Sequence, residues 1–189
     1  MKMPHKLIAL SGPKGSGKST LAQSLVAKHP QFIRQRFAEP IKLMLGKFLE
    51  FQGVDETTIY RMLDGDLKEE PSRFFVGNTA RLAMQTLGTE WRDMLDKNLW
   101  TNAWQQAAVS QLSIGKSIIV DDLRFQHEAQ TIWSLEGIVI QIDRDKCHPG
   151  DHPSERDYLN IFPDRHIYNQ EGSPEKMLVN LEIILGLKG

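Results

Sequence analysis

The stretch Ser11-Gly-Pro-Lys-Gly-Ser-Gly-Lys-Ser-Thr20 contains a glycine, four further residues and then Gly-Lys-Ser, the pattern of a phosphate-binding loop. Residues 6–11 before it form a short apolar run, which predicts a buried parallel strand. Residues 20–29 after it are rich in alanine and leucine and are followed by Pro30, which predicts a helix. A loop between a strand and a helix is the context in which this pattern binds phosphate. The sequence therefore predicts a site for a nucleoside triphosphate.

The residue types within this loop fit the chemistry of a triphosphate. Glycines let the backbone curl so that successive N–H groups face phosphate oxygens. The positive end of the following helix adds to the attraction. We expect the Lys18 ammonium to reach the β- and γ-phosphates and the Ser19 hydroxyl to coordinate Mg²⁺.

The composition is that of an ordinary globular protein, with 189 residues, 40% hydrophobic and 25% charged, and a net charge of −1. This length favours one domain, residues 1–189. The small net charge gives no sign of a nucleic-acid or membrane-surface partner, and no apolar run approaches the ~20 residues of a membrane span. Cys147 is the single cysteine, so an internal disulfide is excluded and a cytoplasmic location is expected.

Apolar runs and their flanking glycines and prolines predict alternating strands and helices. After the first strand, further strands are expected at residues 31–37, 117–120, 137–142 and 165–168, with helices at 126–135 and 174–187. Residues 31–37 alternate in character, which indicates an edge or half-exposed strand. The alternation predicts an α/β fold, a doubly wound parallel five-stranded sheet that binds ligands at the carboxyl ends of its strands.

Two segments are expected to stand apart from this alternation. Residues 38–112 are predicted to be a mostly helical insertion, in which Asn78 and Thr79 cap a helix that Gly88 terminates, and residues 64–77 are predicted to be a loop. Residues 144–164 are polar with three prolines and are expected to form a lid-like loop. The base-reading Asn-Lys-x-Asp stretch of a GTPase is absent from the sequence. The length is also too short for helicases and large motors, and it favours a small-molecule kinase.

Two carboxylates, Asp121 and Asp122, directly follow the apolar run at 117–120. In phosphate-loop enzymes this position holds the acidic residue that assists Mg²⁺ binding. Ser19 and Asp121 are therefore the predicted metal site, while a role for Asp122 in its place stays open. The simpler alternative is that Asp122 caps the helix at 126–135.

The turn after this strand also contains Arg124, with Glu128 in the first turn of the next helix. An arginine held there by carboxylates is oriented for bidentate contact with phosphate or for packing on a base. An ordinary surface ion pair between Arg124 and Glu128 is the alternative.

Arg81 and Gln85 lie four residues apart and so share one helical face. Arg81 offers a phosphate contact, and the Gln85 amide offers both a donor and an acceptor to a base edge. Taken alone, the same segment is an amphipathic helix with a C-cap glycine.

Together these stretches resemble the phage deoxynucleoside monophosphate kinases, and the resemblance covers most of the chain. It is carried by Ser11–Thr20, Phe37-Ala-Glu-Pro-Ile-Lys42, Arg81 with Gln85 and Gly88-Thr-Glu90, Asp121-Asp-Leu-Arg-Phe-Gln-His-Glu128, and Asp151-His-Pro-Ser-Glu155. The resemblance implies transfer of the ATP γ-phosphate to a deoxynucleoside monophosphate.

The resemblance also implies roles for individual residues. ATP would contact Gly15, Ser16, Gly17, Lys18, Ser19 and Thr20. Beside Arg81 and Gln85, the residues that would contact the acceptor are Lys14, Phe37, Ala38, Lys42, Gly88, Thr89, Trp100, Asp122, Arg124 and Glu128. The groups expected to neutralise the transferred phosphoryl are Lys18, Arg124 and a lid arginine, Arg144 or Arg156.

Two other functions stay open from the sequence. The acceptor could be another phosphorylated metabolite, such as dephospho-coenzyme A, or the protein could be a regulatory module that hydrolyses ATP slowly. Exposed faces on the insertion helices also leave a homodimer open, and the accepted bases are not specified.

Overall fold

The computed structural model describes residues 5–145, 147, 157–170 and 173–187. Contacts divide the chain into two compact units. The first unit, here called the sheet unit, contains residues 1–37 and 105–189. The second, here called the helical unit, contains residues 38–104. The sequence predicted an insertion at 38–112, and the helical unit begins at the same residue.

The sheet unit is built on five parallel strands, β1 (Leu7–Ser11), β2 (Phe32–Arg34), β3 (Ser117–Val120), β4 (Ile138–Asp143) and β5 (Arg165–Tyr168). Their order in the sheet is β2-β3-β1-β4-β5. All residues of β1 and β3 are buried, as expected for apolar runs in a parallel sheet. β2 lies at one edge, which confirms the prediction from its alternating sequence.

Helices cover this sheet and bury its apolar side chains. They are α1 (Lys18–Lys28), α7 (Gln126–Ser134) and α8 (Pro174–Ile184), and part of α6 (Leu99–Ser113) also belongs to the sheet unit. Leu21 and Leu25 of α1 share one hydrophobic core with Met177 and Leu181 of α8 and with the inner strands. The central strand β1 is therefore well packed, and its backbone holds the start of the phosphate-binding loop in place.

The helical unit has a hydrophobic core of its own. Its helices are α2 (Glu39–Phe51), α3 (Glu56–Leu63), α4 (Ala80–Thr86), α5 (Arg92–Leu95) and the first part of α6. Ile41, Leu45 and Leu49 recur at helical spacing on α2 and are buried against residues of α3 and α4.

The prediction that Gly88 ends a helix is wrong. The chain passes from α4 through one π-helical segment, Leu87–Trp91, directly into α5. Gly88 does not adopt the positive φ of a C-cap glycine. The hydroxyl of Thr89 donates to the backbone oxygen of Gln85 (2.7 Å), and a Cβ at Gly88 would lie 3.4 Å from the Ile41 side chain. Gly88 therefore lies within a continuing helix, where a Cβ would make an ordinary van der Waals contact with α2.

The segment predicted to be a loop at 64–77 contains two short 3-10 helices, Asp66–Glu69 and Arg73–Phe75. A further 3-10 helix, Asp157–Asn160, lies in the sheet unit. No helix within the described part of the chain is both long and apolar enough to cross a membrane.

Candidate active site

The phosphate-binding loop joins β1 to α1, and its glycines have conformations that other residues adopt with difficulty. Gly12 has a φ of +127°, and a Cβ there would lie 2.4 Å from the backbone oxygen of Ile142 in β4. Gly17 has a φ of +104° and precedes the first residue of α1. The loop can therefore run against the end of β4 and direct the N-terminus of α1 toward an anion.

Lys18 is folded against the loop from which it extends. Its Nζ donates to the backbone oxygens of Gly12 and Pro13, both at 2.7 Å. Burial, followed by the nearby positive charge of Arg124, lowers the pKa of Lys18 to about 8. Phosphate oxygens bound near these two cations would offset the repulsion between them.

A three-residue network lies at the start of α1 and the carboxyl end of β3. The Ser19 hydroxyl donates to Oδ2 of Asp121 (2.5 Å). Arg34, on β2, donates to both oxygens of the same carboxylate, through Nε (2.7 Å) and Nη2 (2.5 Å). Burial alone would raise the pKa of Asp121, but these hydrogen bonds outweigh it and hold the pKa below its ordinary value.

This network fits an Mg²⁺ site at which nucleotide phosphates supply some of the ligands. A hydroxyl oxygen and a carboxylate lie side by side, and both are hard ligands of the type that Mg²⁺ prefers. Among the described residues, no group of three or more His, Cys, Asp or Glu side chains could hold a metal alone. Mg²⁺ in such sites takes its remaining ligands from phosphates and water. Asp122 has a different contact, since its Oδ1 accepts from the backbone N–H of Phe37 (2.9 Å).

The turn after β3 is fixed by the buried carboxyl group of Glu128. Its Oε2 accepts from the backbone N–H groups of Arg124 (2.9 Å) and Phe125 (3.1 Å). Burial and the nearby Asp122 carboxylate raise the pKa of Glu128 to about 8. Glu128 thus holds the backbone of the turn, while the Arg124 side chain is exposed.

Arg144 lies directly after β4 and contacts the phosphate-binding loop. Its Nη1 donates to the backbone oxygen of Gly15 (2.8 Å). The other candidate lid arginine, Arg156, lies outside the described residues, as does most of the predicted lid at 144–164.

The acceptor residues predicted in the helical unit are held by contacts within that unit. Lys42 forms an ion pair with Asp64, and Arg81 forms one with Glu69. The Trp100 indole N–H donates to the backbone oxygen of Leu87 (3.1 Å), and its ring lies 5.3 Å from that of Trp91.

The predicted site residues therefore fall into two groups. Those that the sheet unit contains are Lys14, the loop residues Gly15 to Thr20, Phe37, Asp121, Asp122, Arg124, Glu128 and Arg144. Those in the helical unit are Ala38, Lys42, Arg81, Gln85, Gly88, Thr89 and Trp100. Lys14, Gln85 and Thr89 are exposed.

Sequence reasoning missed two residues of the sheet unit. One is Arg34, whose only signal was a basic side chain on the predicted edge strand. The other is Asn169, just after β5, whose side-chain amide donates to the backbone oxygen of Ser16 (2.8 Å) from a buried position. No local pattern marks an asparagine 153 positions away as a support for the loop.

The parallel sheet, with its phosphate-binding loop after the central strand and an acidic residue after the neighbouring strand, is the arrangement of the P-loop class of nucleotide-binding proteins. Residues 76–179 match the sequence model of the family described as deoxynucleotide monophosphate kinase. A protein of Acanthamoeba polyphaga mimivirus, provisionally named a deoxynucleotide monophosphate kinase, is 34% identical over 167 residues, 82% of this chain and 83% of that protein. The chain belongs to the deoxynucleotide monophosphate kinase family, and it is a nucleotide kinase.

Solved structures with a similar fold are more distant. A thymidylate kinase from Candida albicans is 14% identical, with a TM-score of 0.48 over 99% of this chain and 93% of that one. An APS kinase from Mycobacterium tuberculosis is 12% identical, with a TM-score of 0.48 over 97% of this chain and 99% of that one. Because these TM-scores are below 0.5, the fold assignment depends on the sheet order itself.

Proposed function

We propose that this kinase transfers the γ-phosphate of ATP to a deoxynucleoside monophosphate and forms the diphosphate. The observation that carries the proposal is the hydrogen bond from Ser19, the neighbour of Lys18 in the loop, to Asp121, in a member of this family. Lys18 extends from the loop, and Ser19 and Asp121 provide adjacent oxygens for a metal.

The chain's own groups suit phosphoryl transfer because this reaction depends on positioning and charge neutralisation rather than on a strong base. The loop N–H groups and the start of α1 would bind the ATP phosphates. Lys18, Arg124 and Arg144 would neutralise charge on the transferred group, and the contact of Arg144 with Gly15 supports its place in this set. When bound by Ser19 and Asp121, Mg²⁺ would neutralise phosphate charge and orient the β- and γ-oxygens.

We propose that the acceptor contacts the predicted site residues of the helical unit listed above. The acceptor residues proposed from the sheet unit are Lys14, Phe37, Asp122, Arg124 and Glu128. Lys42 and Arg81 are each paired with a carboxylate of their own unit, so an incoming monophosphate would exchange one anion for another. Such an exchange avoids leaving either cation without a partner.

An acceptor panel tests this function directly. Purified protein, ATP and Mg²⁺ are incubated with each of the common deoxynucleoside and ribonucleoside monophosphates and with dephospho-coenzyme A, and ADP is measured. We expect ADP formation above the hydrolysis background with at least one deoxynucleoside monophosphate. Turnover only with dephospho-coenzyme A would reassign the acceptor. No stimulation by any acceptor, with no rise in melting temperature on adding monophosphates, would favour a regulatory ATPase and contradict the proposal.

A further inference from the structure

Arg34 has no part in the function proposed so far, although it makes the most complete contact to the Asp121 carboxylate. It is the last residue of β2, the short edge strand. Its side chain is 25% exposed, whereas that of Asp121 is 1% exposed. A buried carboxylate at the phosphate-binding loop thus has an arginine as its main partner.

The geometry of this contact fixes both oxygens of the carboxylate. Arg34 Nε donates to Oδ1 and Nη2 donates to Oδ2, the bidentate arrangement that a planar guanidinium favours. The Ser19 hydroxyl donates to Oδ2, the oxygen that also accepts from Nη2. Since that proton is directed at Asp121, the lone pairs of the Ser19 oxygen are left to face a cation.

The sheet register explains why Arg34 lies there. Residue 34 pairs with Ile119 on β3, and Asp121 follows two positions later, just beyond the end of that strand. The backbone N–H of Gln35 donates to the Ile119 oxygen (3.1 Å), which extends the pairing past β2. The backbone of two neighbouring strands therefore sets the distance between the guanidinium and the carboxylate.

We propose that Arg34 is a positioning residue for metal-nucleotide binding. It orients the Asp121 carboxylate, which in turn directs the Ser19 hydroxyl so that its oxygen can meet Mg²⁺. Arg34 acts through Asp121 and touches neither nucleotide nor metal. This inference rests on the proposed function, in which ATP with Mg²⁺ is the phosphate donor.

Nucleotide binding without turnover gives the sharpest test. The affinity for AMP-PNP, a non-hydrolysable ATP analogue, is measured by calorimetry in excess Mg²⁺ and in EDTA for the wild type, Arg34→Ala and Arg34→Lys. The ratio of the two affinities reports the coupling between metal and nucleotide. We expect Arg34→Ala to reduce this ratio by about tenfold or more, the usual effect of losing a group that orients a metal ligand. Affinity in EDTA is expected to stay near the wild-type value.

Arg34→Lys is expected to give an intermediate ratio, because lysine keeps the charge but lacks the planar fork. Arg61→Ala is the matched control. Arg61 makes the same bidentate contact with Asp66, through Nε (2.9 Å) and Nη2 (2.6 Å), but on an exposed surface of the helical unit. Its ratio is expected to equal that of the wild type.

A double-mutant cycle with Asp121→Asn shows whether Arg34 acts through Asp121. We expect Arg34→Ala to have little further effect on the ratio when Asp121 is already asparagine. Arg34→Ala leaves the buried Asp121 charge without its partner, and the double variant removes that charge. If Arg34→Ala does not fold, the double variant and Arg34→Lys are used for the test.

Four outcomes would overturn the inference. Equal losses of affinity in Mg²⁺ and in EDTA would make Arg34 a purely structural residue, and additive effects in the cycle would separate it from Asp121. If Arg34→Ala has the same ratio of AMP-PNP affinities as the wild type, Arg34 has no positioning role. The proposal that ATP with Mg²⁺ is the phosphate donor would then still stand. If Mg²⁺ does not tighten AMP-PNP binding even to the wild type, the proposed donor is contradicted along with the role of Arg34.

Discussion

At the scale of single residues, Lys18 shows how the loop prepares a cation for phosphate. Its ammonium is held by two neutral carbonyl oxygens and has a pKa lowered to about 8. Phosphate oxygens carry charge, so they are stronger partners for an ammonium than carbonyls are. The energy of that exchange is available to the transition state, where charge on the transferred group must be neutralised.

Lys18→Ala should therefore remove most of the catalysis. We expect kcat to fall by at least about a hundredfold, the scale of losing one preorganised electrostatic contact in a transition state. The measurement is steady-state ADP formation with the best acceptor of the panel, with circular dichroism confirming that the variant is folded. Turnover within tenfold of the wild type would contradict the role of Lys18.

Arg124 is expected to act mainly on the acceptor. Arg124→Ala should raise KM for the monophosphate by about ten- to a hundredfold, because one charge-assisted contact to phosphate is worth about 1.5–3 kcal/mol. KM for ATP should change much less. Both values come from the same steady-state assay, with Arg61→Ala as an exposed arginine control. Equal increases for ATP and acceptor would argue against this assignment.

Glu128 makes stability depend on pH in a direction opposite to that of most carboxylates. Its pKa is raised from 4.5 to about 8, so between these values the folded protein holds a proton that the unfolded chain has released. The stabilisation linked to this proton is complete below the unfolded pKa and is lost as the pH rises through the folded pKa.

Glu128→Gln removes this titration but keeps a side-chain oxygen that can accept hydrogen bonds from the backbone N–H groups of the turn. We expect the unfolding free energy of the variant minus that of the wild type, measured in urea titrations, to increase steadily from pH 5 to pH 8. Glu56→Gln, an exposed glutamate in the first turn of α3, should show no such trend. Parallel pH curves for Glu128→Gln and the wild type would contradict the prediction.

Among the secondary-structure elements, the phosphate-binding loop can pack closely against the end of β4 because its first residue is a glycine. Both the φ of +127° at Gly12 and its closeness to Ile142 exclude a larger residue. Gly53 provides a comparison, because it also has a positive φ (+80°) but a Cβ there would meet nothing within 4 Å.

Gly12→Ala should therefore be more harmful than Gly53→Ala. Both variants carry the conformational cost of alanine at positive φ, but only the first adds overpacking against backbone, which costs about 1–3 kcal/mol. Urea unfolding of the two variants measures the difference in free energy. Equal destabilisation would mean that the loop moves away from β4 without cost.

At the scale of the whole molecule, two units each bury a core of their own. Regions with separate cores can open in separate steps, and the region with the smaller core opens more readily. In the helical unit, Leu49 of α2 is completely buried, whereas Phe51 of the same helix is 91% exposed.

Leu49→Ala should destabilise the helical unit by about 2–5 kcal/mol, the usual cost of truncating a buried leucine. Phe51→Ala should change the unfolding free energy by no more than about 0.5 kcal/mol, as is usual for surface positions. Hydrogen exchange should show faster opening of residues 38–104 in Leu49→Ala, with smaller changes in β1, β3 and β4. Uniformly faster exchange through the chain would show that the two units open together.

Local patterns were enough to predict the five strands, the edge position of β2 and the helix that follows the phosphate-binding loop. The pattern failed at Gly88, because a glycine next to a helix end indicates a C-cap only if its backbone adopts positive φ. Gly88 instead lies in the π-helical segment that continues into α5, without a positive φ.

The parallel sheet, the phosphate-binding loop and its side chains Lys18 and Ser19 could be predicted from the sequence alone, because they depend on short-range spacing and on buried apolar runs. The side chains that support these features depend on how distant segments pack. Asp121 was predicted beside Ser19 from its place after an apolar run, but its partner Arg34 lies 87 positions away, and Asn169 supports the loop from 153 positions away. Such contacts follow from strand order and register, which arise when distant segments pack and so leave no periodic signal in the sequence.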